Sequence, residues 1–451
     1  MQQHIIEPRS ELQATIALAI PVVLVQVGFT SMGLVDTIMV GRVSARVLAA
    51  VALGNLYFMN VAIFGMGTLL ALDPLVAQAA GAGDSRAVSQ AMQRGLIIAL
   101  GLCALTCLVL APAAPVLRAF GQSESIIPDA ASYARISIAG TLPFFAFIVL
   151  RQSLQALHRV GPIVWTMVAA NLTNAGFNWV FVYGHLGSPA LGAAGSAIAT
   201  AISRWIMLLL LFALAWPELR THLVPVQPHI WNARALRSML RLGMPIGAQQ
   251  TLEMGAFGAI GLLMGVLGTV EMAAHQIAIT LASLTFMVPV GVATAAAIRV
   301  GRAIGAGNDA GARAAIRAAY VCGLGFMTLT AIAFVTLPHI LARAFTTDVR
   351  VAALAAALIP IAGLFQIFDG AQAVGAGVLR GAGDTAAPMI GMLGAYWMLG
   401  VPVGAYLGFH TAMGAPGLWW GFVVSLAAVA LFLLIRIRVV FRRGLLRIQP
   451  R

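Results

Sequence analysis

Ala77–Asp84 reads AQAAGAGD, and Gly301–Asn308, 224 residues later, reads GRAIGAGN. The same offset relates Pro21 to Pro245, Gln26 to Gln250 and Ala49-Ala50 to Ala273-Ala274. A looser echo joins LHRVGP (Leu157–Pro162) to LRGAGDTAAP (Leu379–Pro388). Chance similarity among Ala- and Gly-rich helices does not hold one spacing across separate anchors, so the chain reads as a tandem duplication. The halves meet in Trp216–Arg241, a polar stretch rich in Pro and Arg that is long enough to let two bundles rock. The expected division is 1–222 and 223–451, with the link at about 216–241.

The chain is 61% hydrophobic and 9% charged, with a mean hydropathy of +0.94, outside the range of soluble globular domains. An apolar run of about 18 residues or more spans a bilayer. Twelve such runs are expected, at about 12–37, 50–76, 95–115, 130–151, 162–183, 192–215, 242–267, 273–298, 317–338, 351–378, 388–408 and 415–435. Residues 1–10 lack the basic start and cleavage site of a signal peptide, so the first run is expected to be retained. Six spans in each half give repeats of equal orientation, related by an axis along the membrane normal. The expected fold is an all-α integral membrane protein of twelve transmembrane helices in two pseudo-symmetric six-helix lobes around a central cavity. Pro21 should bend the first helix.

All 27 basic residues are Arg, and the formal charge is +13. With both termini on one side, that side collects Arg9, the arginines of the even-numbered connections and the C-terminal RIRVVFRRGLLRIQPR (Arg436–Arg451). The opposite side holds Arg42, Arg46, Arg118, Arg135, Arg343 and Arg350. The positive-inside rule then puts both termini in the cytoplasm, and bacterial inner membrane is the expected location. Topology thus accounts for the positive charge, and a nucleic-acid partner is not expected. The C-terminal run reads as a stop signal that could also touch anionic lipid heads. Cys103, Cys107 and Cys322 read as small apolar filler with no disulfide.

Against this background three carboxylates need a reason. Asp36, Glu253 and Asp369 lie inside apolar spans, where an ionised side chain costs about 2.5–3.5 kcal/mol on insertion scales. The other acids fall in connections or at segment ends, apart from Asp73, which is ambiguous beside Pro74. In the fifth span Asn171, Asn174 and Asn178 share one face, and Thr200 adds a hydroxyl from the sixth. With Asp36 these oxygens suit a hard monovalent cation or a proton site; an amide stripe also serves as interhelical glue. Arg204 lies four residues after Thr200. It either pairs with a buried acid such as Asp36, snorkels, or marks a misplaced span boundary, the last being the simplest reading. In the second half Gln249, Gln250 and Glu253 lie together on span seven, and Phe365, Gln366, Asp369 and Gln372 on span ten. Two acids in one lobe retain a proton or recruit a cation. Gln250, Phe257, Phe286, Phe365, Gln366 and Phe368 are candidates to line a pocket for lipophilic cations through ring-face attraction.

VDTIMVGR (Val35–Arg42), LGTVEMAAHQIA (Leu267–Ala278), the doubled GAG loops and LRGAGDT (Leu379–Thr385) resemble the multidrug and toxic compound extrusion (MATE) family, and its NorM branch in particular. The resemblance runs from about residue 10 to 440. It implies an antiporter that exports organic, mostly cationic compounds by alternating access of two lobes, driven by Na⁺ or H⁺ as coupling ion and using no other cofactor. Carried over by motif position, Asp36, Asn174, Asn178 and Thr200 correspond to the family's N-lobe cation site, and Glu253 and Asp369 to the C-lobe acids. The branch often has Tyr one turn before the second C-lobe acid; Phe365 stands there instead and loses a hydroxyl ligand. A monomer in contact with membrane lipids is expected.

Other classes fit less well. A Walker A loop needs Lys, and the chain has none. The eight His are scattered with no HExxH pattern, which disfavours a membrane-embedded enzyme. A flippase for lipid-linked sugars of the same superfamily should carry cationic residues in its cavity and more spans, whereas this chain offers acids.

Overall fold

The computed structural model describes residues 8–442, 447 and 448. Arg443 and Arg451 of the expected stop signal lie outside the described residues, as does the side chain of Arg9. Among the described residues, eleven helices are long and apolar enough to cross a membrane. In chain order, with one further helix in its place, they are α1 (Pro8–Gly41), α2 (Ala45–Gly81), α3 (Ser85–Leu110), α4 (Ile127–Ala156), α5 (Gly161–Phe181), α6 (Gly192–Leu214), α7 (Ala233–Leu267), α8 (Thr269–Gly305), α9 (Asp309–Thr336), α10 (Val349–Gly381), α11 (Ala386–Phe409) and α12 (Ala415–Arg442). The further helix is α5. Its 21 residues reach about 31 Å at 1.5 Å each, enough to span, but Asn171, Asn174 and Asn178 make it the least apolar of the set. The twelve expected spans are all present.

The two GAG loops fold alike, which is the structural imprint of the duplication. Gly83 and Gly307 sit at φ +70° and +67°, the left-handed region where a Cβ is strained. Each ends a helix in the glycine C-cap manner. Asp84 and Asn308 then cap the next helix, accepting from the backbone N–H groups of Ala87 and Gly311 at 2.9 and 2.8 Å. In the looser pair, His158 and Gly383 both take positive φ.

The chain divides into two compact units. One is Leu24–Gly247; the other joins the described residues up to Val23 to those from Ala248 to Ile448. The expected boundary was at 222/223, so the structure groups residues up to 23 with the second half and 223–247 with the first. Both crossings fall two residues after a repeat-related proline, Pro21 in α1 and Pro245 in α7, and both helices run through their prolines unbroken.

In the second-half unit, α8 and α10 approach closely, because α10 presents Gly377 and Gly381 one turn apart. A Cβ there would stand 2.2 Å from the Ala293 carbonyl and 2.5 Å from that of Ala297. This is the small-residue packing that lipid-embedded helices use in place of a hydrophobic drive. Glu11 of α1 pairs with Arg299 of α8 in the same unit. Asp384 accepts from Arg436 at 2.6 Å.

In the Leu24–Gly247 unit, the link is tied down. The Gln93 amide of α3 donates to the carbonyls of His222 at 2.8 Å and Pro225 at 3.2 Å, and its oxygen accepts from the Gln227 N–H at 2.8 Å. Ser89 bonds the His222 ring at 3.0 Å, and Arg94 donates to the His229 carbonyl at 3.3 Å. The link, expected to be long enough to let two bundles rock, is thus strapped to α3 over 222–229. Replacing Gln93 with Leu should take the shared donor from the carbonyls of His222, Leu223 and Pro225 and the acceptor from the Gln227 N–H, and speed trypsin cleavage after Arg220 or Arg234 severalfold; unchanged cleavage would show that the strap has other support. Partial burial lowers the proton affinity of His222, with Glu218 opposing. A lowered folded value means that the neutral ring's stabilisation is complete above the unfolded value and is lost on acidification. Cleavage should thus also rise as pH falls below about 6.5.

Candidate functional site

Asp36 lies between two apolar clusters of the Leu24–Gly247 unit. One contains Met32, Ala170, Met167 and Met207; the other contains Val40, Val182, Ala193 and Ala197. Each helix that reaches the site passes from the first cluster to the second, and its polar residues fall between. On α1, Asp36 is one turn from Met32 and one from Val40. On α5, Asn174 follows Ala170, and Asn178 precedes Val182, by the same step. On α6, Ser196, Thr200 and Arg204 form an i, i+4, i+8 stripe beside Ala197 and Met207. The result is one polar layer between two apolar ones.

Within the layer Asp36 is 6% exposed. Its Oδ1 accepts from the Asn178 amide at 2.6 Å and its Oδ2 from the Thr200 hydroxyl at 2.9 Å. Asn178 also donates to the Asn174 carbonyl at 3.0 Å, which fixes which end of its amide faces the acid. Both polar atoms of the Asn174 side chain, the side-chain oxygen of Asn178 and the hydroxyl of Ser196 are buried with no hydrogen-bond partner among the described residues. Buried polar atoms are almost always paired, so these unfilled groups on the helices that hold Asp36 set this layer apart from ordinary core. Asp36, Asn174, Asn178 and Thr200 are thus brought together. Asn171 is not part of the group; it donates to the Gly28 carbonyl at 3.0 Å and ties α5 to α1.

Arg204 corrects the reading of its position. It is 4% exposed in the middle of α6, so the span boundary is not misplaced, and its guanidinium does not snorkel. It lies over two rings, 4.0 Å from the centroid of Phe58 and 4.9 Å from that of Phe144. It makes no ion pair with Asp36. Asp73, ambiguous in the sequence, is fully buried and accepts from Gln152 at 3.0 Å.

The second carboxylate group lies in the other unit. Glu253 of α7 accepts from the Gln372 amide of α10 at 3.0 Å, and Asp369, one turn before Gln372, is 5% exposed. Asp369 Oδ1 and the Gln372 side-chain oxygen have no partner among the described residues. Tyr396 of α11 is within electrostatic range of both acids. It comes from Leu393–Gly400, a stretch wound as a π-helix, a form frequent at functional sites. The next residue, Trp397, donates to the Leu252 carbonyl at 3.0 Å and holds this stretch against α7. A hydroxyl, absent at Phe365, thus lies near the two acids on another helix, buried and with no hydrogen-bond partner among the described residues.

Tyr133, whose ring is fully buried beside the Asp36 layer, was likewise not singled out from the sequence. The one signal for either tyrosine is a phenol inside an apolar span.

The pocket-lining candidates separate. Phe365 is 1% exposed, packed on Trp419 and Phe422 at 5.5 and 6.1 Å, so it is core and lines no open pocket. Gln366 is also core, donating to Thr285 at 2.7 Å and accepting from Thr330 at 2.6 Å, so that it bridges α8, α9 and α10. Phe257 stacks on Phe422 at 4.5 Å and remains partly exposed, as do Gln250, Phe286 and Phe368.

A family model, MatE, matches this chain twice, over residues 21–180 and 245–406. The chain belongs to the MatE family. The two matches begin 224 residues apart, the spacing of the repeat. The chain is 41% identical to the probable multidrug resistance protein NorM of Mesorhizobium japonicum, over 95% of its own length and 94% of the relative's. It is 36% identical to the multidrug resistance protein MdtK of Edwardsiella ictaluri, over 95% of each chain. Its fold matches the crystal structure of the eukaryotic MATE transporter AtDTX14 with a TM-score of 0.88 at 23% identity, covering 97% of this chain and 98% of that one. MATE proteins are transporters, so this multi-pass membrane protein is a transporter and not an enzyme.

Thr200→Val is nearly isosteric and removes one donor from Asp36. A hydrogen bond to a charged group contributes about 1.5–3 kcal/mol. The unfolding midpoint in detergent should fall by a few degrees; an unmoved midpoint would show that this bond contributes nothing.

Proposed function

We propose that this protein exports organic, mostly cationic compounds in exchange for inward Na⁺ or H⁺, with Asp36 as the exchanging carboxylate of the first-half unit. The observation that carries the reading is the Asp36 layer: a carboxylate shielded from lipid, with two donors and unfilled amide oxygens around it. Such a site binds a small cation reversibly, because the oxygens already in place replace the ion's hydration. The relatives' names, both multidrug resistance proteins, support the substrate class. Glu253 and Asp369, with Gln372 and Tyr396, form a second acidic site fit for a coupling ion or a cationic drug. The distribution of Arg supports a bacterial inner membrane with cytoplasmic termini. We take the working unit as a monomer in contact with membrane lipids.

Two acidic sites bear on the driving force. One cation moving down 100 mV releases about 2.3 kcal/mol, and a tenfold concentration ratio costs about 1.4 kcal/mol. Exchange of one cation for one monovalent cationic drug is electrically silent, so the potential helps only if a second cation enters.

Asp36→Asn should abolish ethidium efflux driven by an imposed Na⁺ or pH gradient in liposomes, while the unfolding profile stays cooperative. Undiminished efflux at equal reconstitution would refute the assignment. Glu253→Gln and Asp369→Asn should each slow efflux, and the double variant should cost less than the sum of the two, since residues that share a site are not additive. Strict additivity would place the two acids at separate sites.

A further inference from the structure

Arg204 stands in a position that its own contacts leave incomplete. Its guanidinium faces the rings of Phe58 and Phe144, and Nη1 has no hydrogen-bond partner among the described residues. A ring face returns some attraction to a desolvated cation, but less than the cost of taking a charge out of water. The groups that act on Arg204 electrostatically are Tyr133 from α4 and Asp36 from α1. A phenol is ordinarily neutral near pH 7, so Asp36 is the nearby anion. Thr200, whose hydroxyl is on Asp36, lies one helical turn from Arg204 on the same face of α6. Side chains four residues apart on a helix start about 5–6 Å from each other. That separation is within the sweep of an arginine's four-bond arm. The side chain also runs past Gly140, where a Cβ would be 3.1 Å from its Cδ, so its path is unobstructed by a side chain there.

We propose that Arg204 is a tethered counter-ion that alternates with the transported cation at Asp36. With the cation bound among Asp36, Asn174 and Asn178, the guanidinium is held off between the two rings. When the cation leaves, the guanidinium swings onto the carboxylate and spares it from standing alone in a dry interior. Its planar fork suits a carboxylate, which a lysine ammonium would meet as a point charge. The site is then neutral without its ion, and Arg204 sets how readily the ion is released. This role rests on the ion exchange at Asp36 proposed above and adds the residue that competes with the ion.

The test uses purified protein in liposomes, with Arg204→Gln and Arg204→Lys beside the wild type. Ethidium efflux is measured against Na⁺ at fixed pH and against pH at fixed Na⁺. Without its tethered competitor, Arg204→Gln should need at least about fivefold less of the coupling ion for half-maximal efflux. It should also turn over more slowly, with an unchanged KM for ethidium, and Arg204→Lys should fall between. A folded Arg204→Gln with the wild-type half-saturating ion concentration would overturn the proposal. If Arg204→Gln alone does not fold, the pairing with Asp36→Asn decides. The double variant should melt higher than Asp36→Asn, which strands the guanidinium without its anion; a double variant less stable than Asp36→Asn would overturn the proposal. Wild-type efflux indifferent to both ions would remove the exchange reading and this role with it. An ion-dependent wild type with an unmoved Arg204→Gln removes only the role of Arg204.

Discussion

A carboxylate on a lipid-embedded helix has no water to solvate it, and the first-half unit is arranged around that constraint at Asp36. The helices that surround it carry their polar groups at the same level and their apolar groups above and below. An amide and a hydroxyl donate to the acid from α5 and α6, and further amide oxygens stand near it unfilled. The apolar clusters on either side keep the layer dry, which makes each of these interactions stronger and each missing partner more costly.

The other unit meets the same constraint by a different route. Over the part of the repeat where the offset is constant, Asp36 has Ile260 as its counterpart and Glu253 has Phe29. The duplicated backbone, down to its matching glycine turns and helix caps, therefore carries unlike chemistry. Glu253 and Asp369 are two acids within reach of one another's field, with an amide and a phenol nearby. Asp369 is buried and Glu253 partly exposed, so two like charges share one small region. Asp36 instead has Arg204 in range. One group sets acid beside acid, and the other sets an acid near a guanidinium.

The strap across α3 gives the link between the halves a different physical character from a flexible tether. Its backbone groups are satisfied by Gln93, Ser89 and Arg94, so the residues from His222 to His229 belong to the Leu24–Gly247 unit. The chain crosses between the units within α1 and α7. Each passes from one unit to the other just after a proline, at a place where a backbone hydrogen bond is already missing and bending is least costly.

The sequence by itself determined the class, the span count, the duplication and the acids that needed explaining. Those features rest on the length and composition that a bilayer demands, and on local turn chemistry that Gly83, Asp84, Gly307 and Asn308 carry within a few residues. The partners of Asp36 were legible as well, since Asn174 and Asn178 share a helix face and Thr200 is a hydroxyl inside the sixth apolar span. Only the tertiary structure decided that Arg204 lies inside the polar layer between two aromatic rings, that Phe365 and Gln366 are core, and that Tyr396 supplies a phenol from a π-wound turn. These depend on which helices pack together and at what depth. A one-dimensional pattern fixes the face of a helix, but the neighbour that face meets is set by packing across the unit.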